Sequence, residues 1–529
     1  MLSRGDGPAQ AWTYAELASA TRRAAERLRQ AGVRPGDRVL TWAPSDPWLA
    51  IAYFGVWRLG GAVVPLDLRM APDVAIRIGR AAGALLVLSG PPIDAGQIEA
   101  LGLPGLPVSR DLVEPGGLLT ESARPGVGKG PPAGEPGSIV GPETLAEILF
   151  TSGTSSDPKG VTITHGQMIH SVRALTLTSG GLRPERILSL APLSHAYGQM
   201  VPLFVGLVTG SQTTYLPTMT PARIVEVLKV DRVTTMTTVP QVMDLMLGRI
   251  ETEAARRGAL ARLLRARRLA LALRLPMAVR RRLFRDVLAV LGGHLALLGS
   301  GGARLPEALQ LAWEAMGVRV VQGYGATECA AIAGHARDRR RPGTVGPPLA
   351  GLEVCIAEDG ELLARGPNAT AGYWGRPVES AEVLEGGWVH TGDAARIEEH
   401  GELVILGRTR DRIALPNGMK VYPEDVEQAL RTAAANVVRS AVVLEGAPGQ
   451  LVAIVVPASP DTDDEAIDGV VRAANATLAP HQRVRRWRRW PDPDFPRTHT
   501  LKVRRGMVAD WYAGQRRRED DDSDAGGEA

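Results

Sequence analysis

Short apolar runs of strand type alternate with helix-like runs through the first part of the chain. The strand-like runs fall within residues 39–65 and 84–90, the helical ones at 14–31, 48–59 and 71–82. This alternation predicts an α/β architecture with a mainly parallel sheet, since parallel neighbours need a crossover between them. Eleven of the eighteen residues 125–142 are Gly or Pro, which predicts a surface loop or linker before a strand at 145–150. Alternation continues to about residue 406, with strands expected at 295–298 and 319–322. Beyond Gly407 the units become smaller. Pro423–Ala433 and 464–478 read as helices, and 440–444 and 451–456 as strands, together a small α+β domain.

One apolar stretch raises a membrane question. Residues 187–221 hold no Asp, Glu, Lys or Arg, long enough for a span. Pro192, Ser194, His195, Gly198, Gln199 and Pro202 interrupt it, and each polar group would need a partner inside lipid. A buried strand, loop and helix is the expectation. The N-terminal residues show no apolar core after a basic start, so no secretory signal is expected and a cytoplasmic protein is.

Composition narrows the classes. The 529 residues are 44% hydrophobic and 22% charged, as in ordinary globular proteins. Two cysteines are too few for a disulfide framework or a cysteine zinc site. Aromatic content of 4% weakens a base-stacking reading, and no nucleic-acid partner is expected. The net charge of +4 is unevenly placed: residues 249–286 carry twelve arginines against Glu251, Glu253 and Asp286, a local +9. A solvated helical pair is the expectation there, and peripheral contact with an anionic membrane is the alternative. Five of the 61 basic residues are lysines: Lys129, Lys159, Lys229, Lys420 and Lys502. Lysine and arginine are not equivalent at a tight site, so the few lysines merit inspection.

Three segments carry candidate chemistry. Thr151-Ser152-Gly153-Thr154-Ser155-Ser156-Asp157-Pro158-Lys159-Gly160 follows the strand at 145–150. Its small residues let backbone N–H groups curl around phosphate oxygens while Lys159 adds charge, although the Walker spacing is absent. Gly323-Tyr324-Gly325-Ala326-Thr327-Glu328 follows the strand at 319–322; Tyr324 offers a stacking face and Glu328 an oxygen ligand for a divalent cation. His390-Thr391-Gly392-Asp393, with Arg408 downstream, places a carboxylate suited to ribose hydroxyls.

Taken in order with 192–198, 300–303, 372–375, 407–412, 422–427 and 496–505, these segments resemble the adenylate-forming superfamily. That superfamily comprises acyl-CoA synthetases, peptide-synthetase adenylation domains and luciferases, and the match spans nearly the whole chain. The resemblance implies a large AMP-binding domain, 1–408, and a small mobile domain, 409–529, with an acidic tail after about residue 518. It implies a two-step ligase using ATP, Mg2+ and coenzyme A: a carboxylic acid is adenylated with loss of pyrophosphate, then transferred to a thiol.

By that resemblance Thr151, Ser152, Gly153, Thr154 and Lys159 follow the β- and γ-phosphates. Thr327 contacts the α-phosphate and Glu328 holds magnesium. Gly323, Tyr324 and Gly325 form the adenine segment, Asp393 and Arg408 the ribose clamp. His195, Gly301, Gly302 and Ala303 line the acyl pocket, the last three at its junction with the adenine, with a buried, backbone-bonded histidine as the alternative for His195. Lys502 bridges carboxylate and α-phosphate in the first step. Gly418 and Lys420 lie in the segment facing the site during thioester formation, and Arg410 is the hinge. Leu501 stands where the family usually has glycine before that lysine, and Arg410 where it usually has Asp or Lys. The text at 415–423 is most similar to long-chain fatty acyl-CoA ligases, so a medium- to long-chain fatty acid is the favoured substrate. An aryl acid, or an acyl carrier protein as acceptor, are alternatives. From another class, a catalytically poor lipid-surface or nucleic-acid-binding protein that has kept the fold is the competing reading.

Overall fold

The computed structural model describes residues 2–3, 10–113, 140–151, 158–178, 183–216, 219–416, 419–434, 437–498 and 503–525. Two sheets of largely parallel strands form the body. The first runs, in spatial order, Gly105–Pro107, Leu86–Ser89, Arg38–Trp42, Ala62–Pro65, Leu145–Thr151 and Lys159–Thr164, only the last pair being antiparallel. The second has eight strands, with Arg319–Tyr324, Leu297–Ser300, Thr235–Thr238, Arg186–Ser189 and Gln212–Tyr215 side by side and parallel. A third, antiparallel sheet contains Glu361–Arg365, Trp388–Ile397 and Leu403–Arg408.

Crossover helices start where their sequences dictate. Thr13 caps Tyr14–Gln30 in a reciprocal box with Glu16, and Asp46 accepts from the Leu49 N–H at 2.9 Å ahead of Pro47–Arg58. Pro47 suits the first helical position because its missing N–H is not needed there. The helix Pro47–Arg58 is apolar nearly all round, as befits burial on both sides.

Residues 413–508 have a separate core. Strands Val438–Glu445, Leu451–Pro457 and Val484–Arg489 carry helices Pro423–Ala433 and Asp464–Thr477, burying Val426, Leu430, Ile454 and Ile467 completely. The backbone of the acidic C-terminal stretch continues the helix Arg505–Ala525.

Three expectations need correction. The strand expected at 295–298 begins two residues later, at Leu297–Ser300: Leu295 is apolar because it is buried beside the strand, while pairing starts at Leu297. The uncharged stretch 187–221 holds a second strand, Gln212–Tyr215, and a π-helical turn at Gln199–Val205; the strand reads Gln-Thr-Thr-Tyr, without the apolar run or alternation that marks a strand. Residues 249–286 form parts of four helices and not a pair. Several arginines there are engaged internally. Arg267 pairs with Glu251 at 2.7 Å, while Arg280 and Arg281 donate to the Leu275 and Leu295 carbonyls at 2.7 and 2.6 Å. Among the described residues no helix is long and apolar enough to cross a membrane.

Candidate active site

The C-terminal ends of the parallel strands in the second sheet open onto one cleft of about 3590 Å3, which the small domain borders through Glu424, Asp425, Gln428 and Arg505. That end of such a sheet is where ligands gather, because the chain turns outward there.

Strand Arg319–Tyr324 delivers Gly323 and Tyr324 to the cleft. The Tyr324 hydroxyl donates to Asp393 Oδ2 at 2.6 Å, and Arg408 Nε lies 3.0 Å from Asp393 Oδ1. Asp393 and Arg408 meet because they are paired across adjacent strands. Arg408 also donates to the Thr391 carbonyl at 3.2 Å, which fixes the fork. Burial pushes the Tyr324 phenol well up, and the neighbouring Asp393 charge pushes it further, so it remains a donor.

Gly325 is required by close approach: a Cβ there would lie 1.9 Å from the Ala330 carbonyl oxygen. The turn Thr327–Cys329 then sets Thr327 and Glu328 on the cleft and ends at Ala330, whose φ of 51° is strained for a residue with a side chain. The Glu328 carboxylate accepts from the Tyr373 hydroxyl at 2.8 Å. Burial, with the Glu328 charge next, raises the Tyr373 phenol, so this proton also stays put. Lys159 Nζ lies 5.3 Å from the Tyr373 ring centroid, within cation–π range. Thr151 and Lys159 face each other across the hairpin that opens the loop, with Thr151 Oγ1 3.4 Å from the Lys159 carbonyl. Ser152, Gly153, Thr154, Gly418 and Lys502 lie outside the described residues.

Gly301, Gly302 and Ala303 follow strand Leu297–Ser300 into the cleft. Tyr197 covers them: its hydroxyl donates to the Gly299 carbonyl at 2.8 Å, and a Cβ on Gly301 would stand 3.0 Å from its ring. His195 also lines the cleft, 35% exposed, with Nε2 3.1 Å from Asp67 Oδ2. Asp67 is buried, which works against its charge, but bonds from His195 and Arg69 outweigh burial and hold its carboxyl far below the usual range. The ring is thus partly exposed and bonded to a carboxylate, and is not a fully buried histidine.

Arg410 lies exposed at the cleft edge, and Arg304 reaches Asp425 of the small domain at 2.5 Å. Lys420 stands elsewhere. Its Nζ donates at 2.9 Å to the Asp359 carbonyl, which Arg412 also contacts at 2.8 Å, outside the cleft lining. Sequence reasoning missed Asp67, Tyr197 and Tyr373 as participants. Tyr373 and Tyr197 sit inside recognised segments, so proximity to those motifs was the available signal; Asp67 left none.

An aromatic face, a carboxylate held by an arginine, and the Glu328 carboxylate on a tyrosine that Lys159 also approaches fit ATP with Mg2+. Magnesium is usually held by one or two carboxylates together with substrate phosphates, and Glu328 is a carboxylate that borders the cleft. Fold and site thus fit an ATP- and Mg2+-using enzyme of the adenylate-forming class, the class of the AMP-forming acid–thiol ligases. The chain belongs to the AMP-binding enzyme family: that family's profile matches residues 3–374, and its C-terminal domain profile matches 410–515. The chain is 29% identical over 435 residues to a feruloyl-CoA synthase of Amycolatopsis sp, covering 79% of this chain and 78% of the relative. It is 27% identical over 565 residues to the long-chain-fatty-acid–CoA ligase FadD15 of Mycobacterium bovis, covering 95% and 91%. Among solved structures, O-succinylbenzoate coenzyme A synthetase from Bacillus subtilis, in complex with ATP and magnesium ion, shares the fold. The TM-score is 0.73 at 22% identity, over 94% of this chain and 95% of that one.

Proposed function

We propose that the chain activates an elongated, largely apolar carboxylic acid of medium to long chain and transfers it to coenzyme A. The observation that carries this reading is the convergence of Tyr324, Asp393, Arg408 and Glu328 at one end of an apolar-walled cleft. A carboxylate oxygen attacks the α-phosphorus of ATP, forming an O–P bond as the bond to the departing pyrophosphate breaks. The thiol sulfur, losing its proton, then attacks the acyl carbon and expels AMP. Both partners of the first step are anions, so positioning and charge neutralisation supply most of the rate.

In this reading Asp393 accepts the ribose hydroxyls, with Arg408 holding it in place, and Tyr324 supports the adenine. Glu328, oriented by the Tyr373 hydroxyl, would hold magnesium, which offsets phosphate charge when bound. Lys159 and the loop 151–160 serve the β- and γ-phosphates. Lys502 supplies the mobile ammonium to the carboxylate and α-phosphate, and Arg410 is the hinge between a large domain, 1–408, and a mobile one, 409–529. Withdrawal of the small domain would bring Gly418 and Lys420 into play for the thiol step. Acid-dependent exchange of pyrophosphate into ATP tests the reading: exchange with medium- and long-chain acids, lost in Lys502→Ala, supports it, and exchange with aryl acids alone overturns the chain-length assignment.

A further inference from the structure

The acyl side of the cleft has a shape and a far end that narrow the substrate further. Along the parallel strands of the second sheet, Leu188, Met236, Leu298 and Val320 form one row and pack into the core. Alternate residues point to the other face. Thr237, Gly299 and Val321 form the adjoining row, and Ile187, Thr235 and Leu297 the row beyond it; all border the cleft, with Gly299, Val321 and Leu297 partly open and Thr237, Ile187 and Thr235 buried beneath its surface. The sheet face is therefore a trough floor that starts at Gly301 and Gly323, beside the reacting centre, and descends towards the N-terminal ends of the strands. From Gly301 to Leu297 is four residues, roughly 13 Å at strand rise.

The trough does not end on apolar groups. Glu185, just before strand Arg186–Ser189, forms an ion pair with Arg337, their side chains 17% and 23% exposed. The second Glu185 oxygen accepts from Thr234 and, at 3.3 Å, from the Thr235 hydroxyl on the trough floor. The Ser211 hydroxyl accepts from the Glu185 N–H at 3.0 Å and lies 2.6 Å from Thr209 Oγ1. Glu185, Arg337, Thr209, Ser211 and Thr235 all border the same cleft as Gly301. Arg337 reaches this end because the chain returns from Tyr324 antiparallel to its own strand: Gly334 pairs with Gly323, and the His335 N–H donates to the Gln322 carbonyl at 3.2 Å.

A methyl terminus lying here would strip water from an ion pair and several hydroxyls and return no hydrogen bond. An oxygen in its place accepts from the guanidinium or exchanges bonds with the hydroxyls. We infer that Glu185, Arg337 and Thr235 form a recognition site for a hydroxyl or carbonyl oxygen at the far end of the acid. The inference rests on the ligase reading above and names its substrate class as an acid oxygenated at the end remote from its reacting carboxyl.

Pyrophosphate exchange with dodecanoate, ω-hydroxydodecanoate and ω-oxododecanoate, on the full chain, tests this. The oxygenated acids are expected to exceed dodecanoate about tenfold or more in kcat/KM, the usual scale for a lost bond to a charged group. In the double variant Arg337→Met with Glu185→Gln, made together so that neither charge is left alone, that ratio is expected to fall to near one. Thr235→Val, which leaves the ion pair in place, is expected to lower it by a smaller factor. Equal kcat/KM for the three acids in the unaltered protein, or a ratio unmoved by both variants, overturns the terminal-oxygen assignment while leaving the ligase reading intact. Absence of exchange with these acids and with every other alkyl and aryl acid overturns the ligase reading and this assignment with it.

Discussion

The nucleotide end and the acyl end of the cleft are held together differently. At the first, Tyr324, Asp393 and Arg408 are joined directly by contacts of 2.6 and 3.0 Å, and Glu328 is fixed by Tyr373 at 2.8 Å. At the second, backbone, small and aliphatic side chains make much of the surface, and its far end carries Glu185 and Arg337 with the hydroxyls of Thr209, Ser211 and Thr235. A network of charge-assisted bonds aims its groups before the ligand arrives, which is what a polyanionic substrate with one fixed shape needs. A trough of glycine, threonine and aliphatic residues selects by length and width instead. The two ends should therefore fail separately.

The sharpest break is expected at Asp393. Asp393→Ala removes the acceptor of both Tyr324 and Arg408, and kcat/KM for ATP should fall about 100-fold or more, with KM for the acid within about twofold. The mirror experiment is Gly301→Val. Its added atoms meet the Tyr197 ring, so KM for the acid should rise about tenfold or more while KM for ATP stays within about twofold. Equal effects on both substrates in either variant would show that the ends do not act apart. A subtler change is Tyr373→Phe, which unties one Glu328 oxygen; the magnesium concentration for half-maximal exchange should rise about tenfold.

The smallest effect concerns stability behind both ends. Glu147 is wholly buried on strand Leu145–Thr151 and accepts from Gln199 at 2.5 Å; burial pushes its carboxyl up to about 8. The folded protein thus keeps a proton that the unfolded chain releases near 4.5. Its contribution is fully present below about 4.5 and is lost progressively as pH rises to about 8. Glu147→Gln keeps the acceptor for Gln199 and removes the titration. Denaturant unfolding should then show a shallower loss of stability between those pH values, and greater stability than the parent at the alkaline end. His335 has the opposite sign: burial lowers it to about 4, so its contribution is lost as pH falls from about 6.5 towards 4.

This contrast also explains what was legible in the sequence. The nucleotide end is written in short contiguous runs, because a strand and the turn after it place Gly323 to Glu328, or Thr391 to Asp393, within a few residues of each other. The acyl end takes alternate residues from four strands, and its terminal pair, Glu185 and Arg337, is 152 positions apart. No local pattern marks such residues. His195 and Asp67, 128 positions apart, show the same limit: the histidine could be singled out by its segment, its partner could not. At the level of elements, helices such as Pro423–Ala433 were readable from periodicity, whereas strand Gln212–Tyr215 is Gln-Thr-Thr-Tyr and carries no apolar run or alternation to mark it.

Acid-dependent exchange of labelled pyrophosphate into ATP by the full chain tests the central claim most directly. The expected result is exchange that requires a carboxylic acid and magnesium, falls about 100-fold or more in Asp393→Ala and is abolished by Lys502→Ala. Exchange that proceeds without acid, or none with any alkyl, oxygenated alkyl or aryl acid, would contradict it.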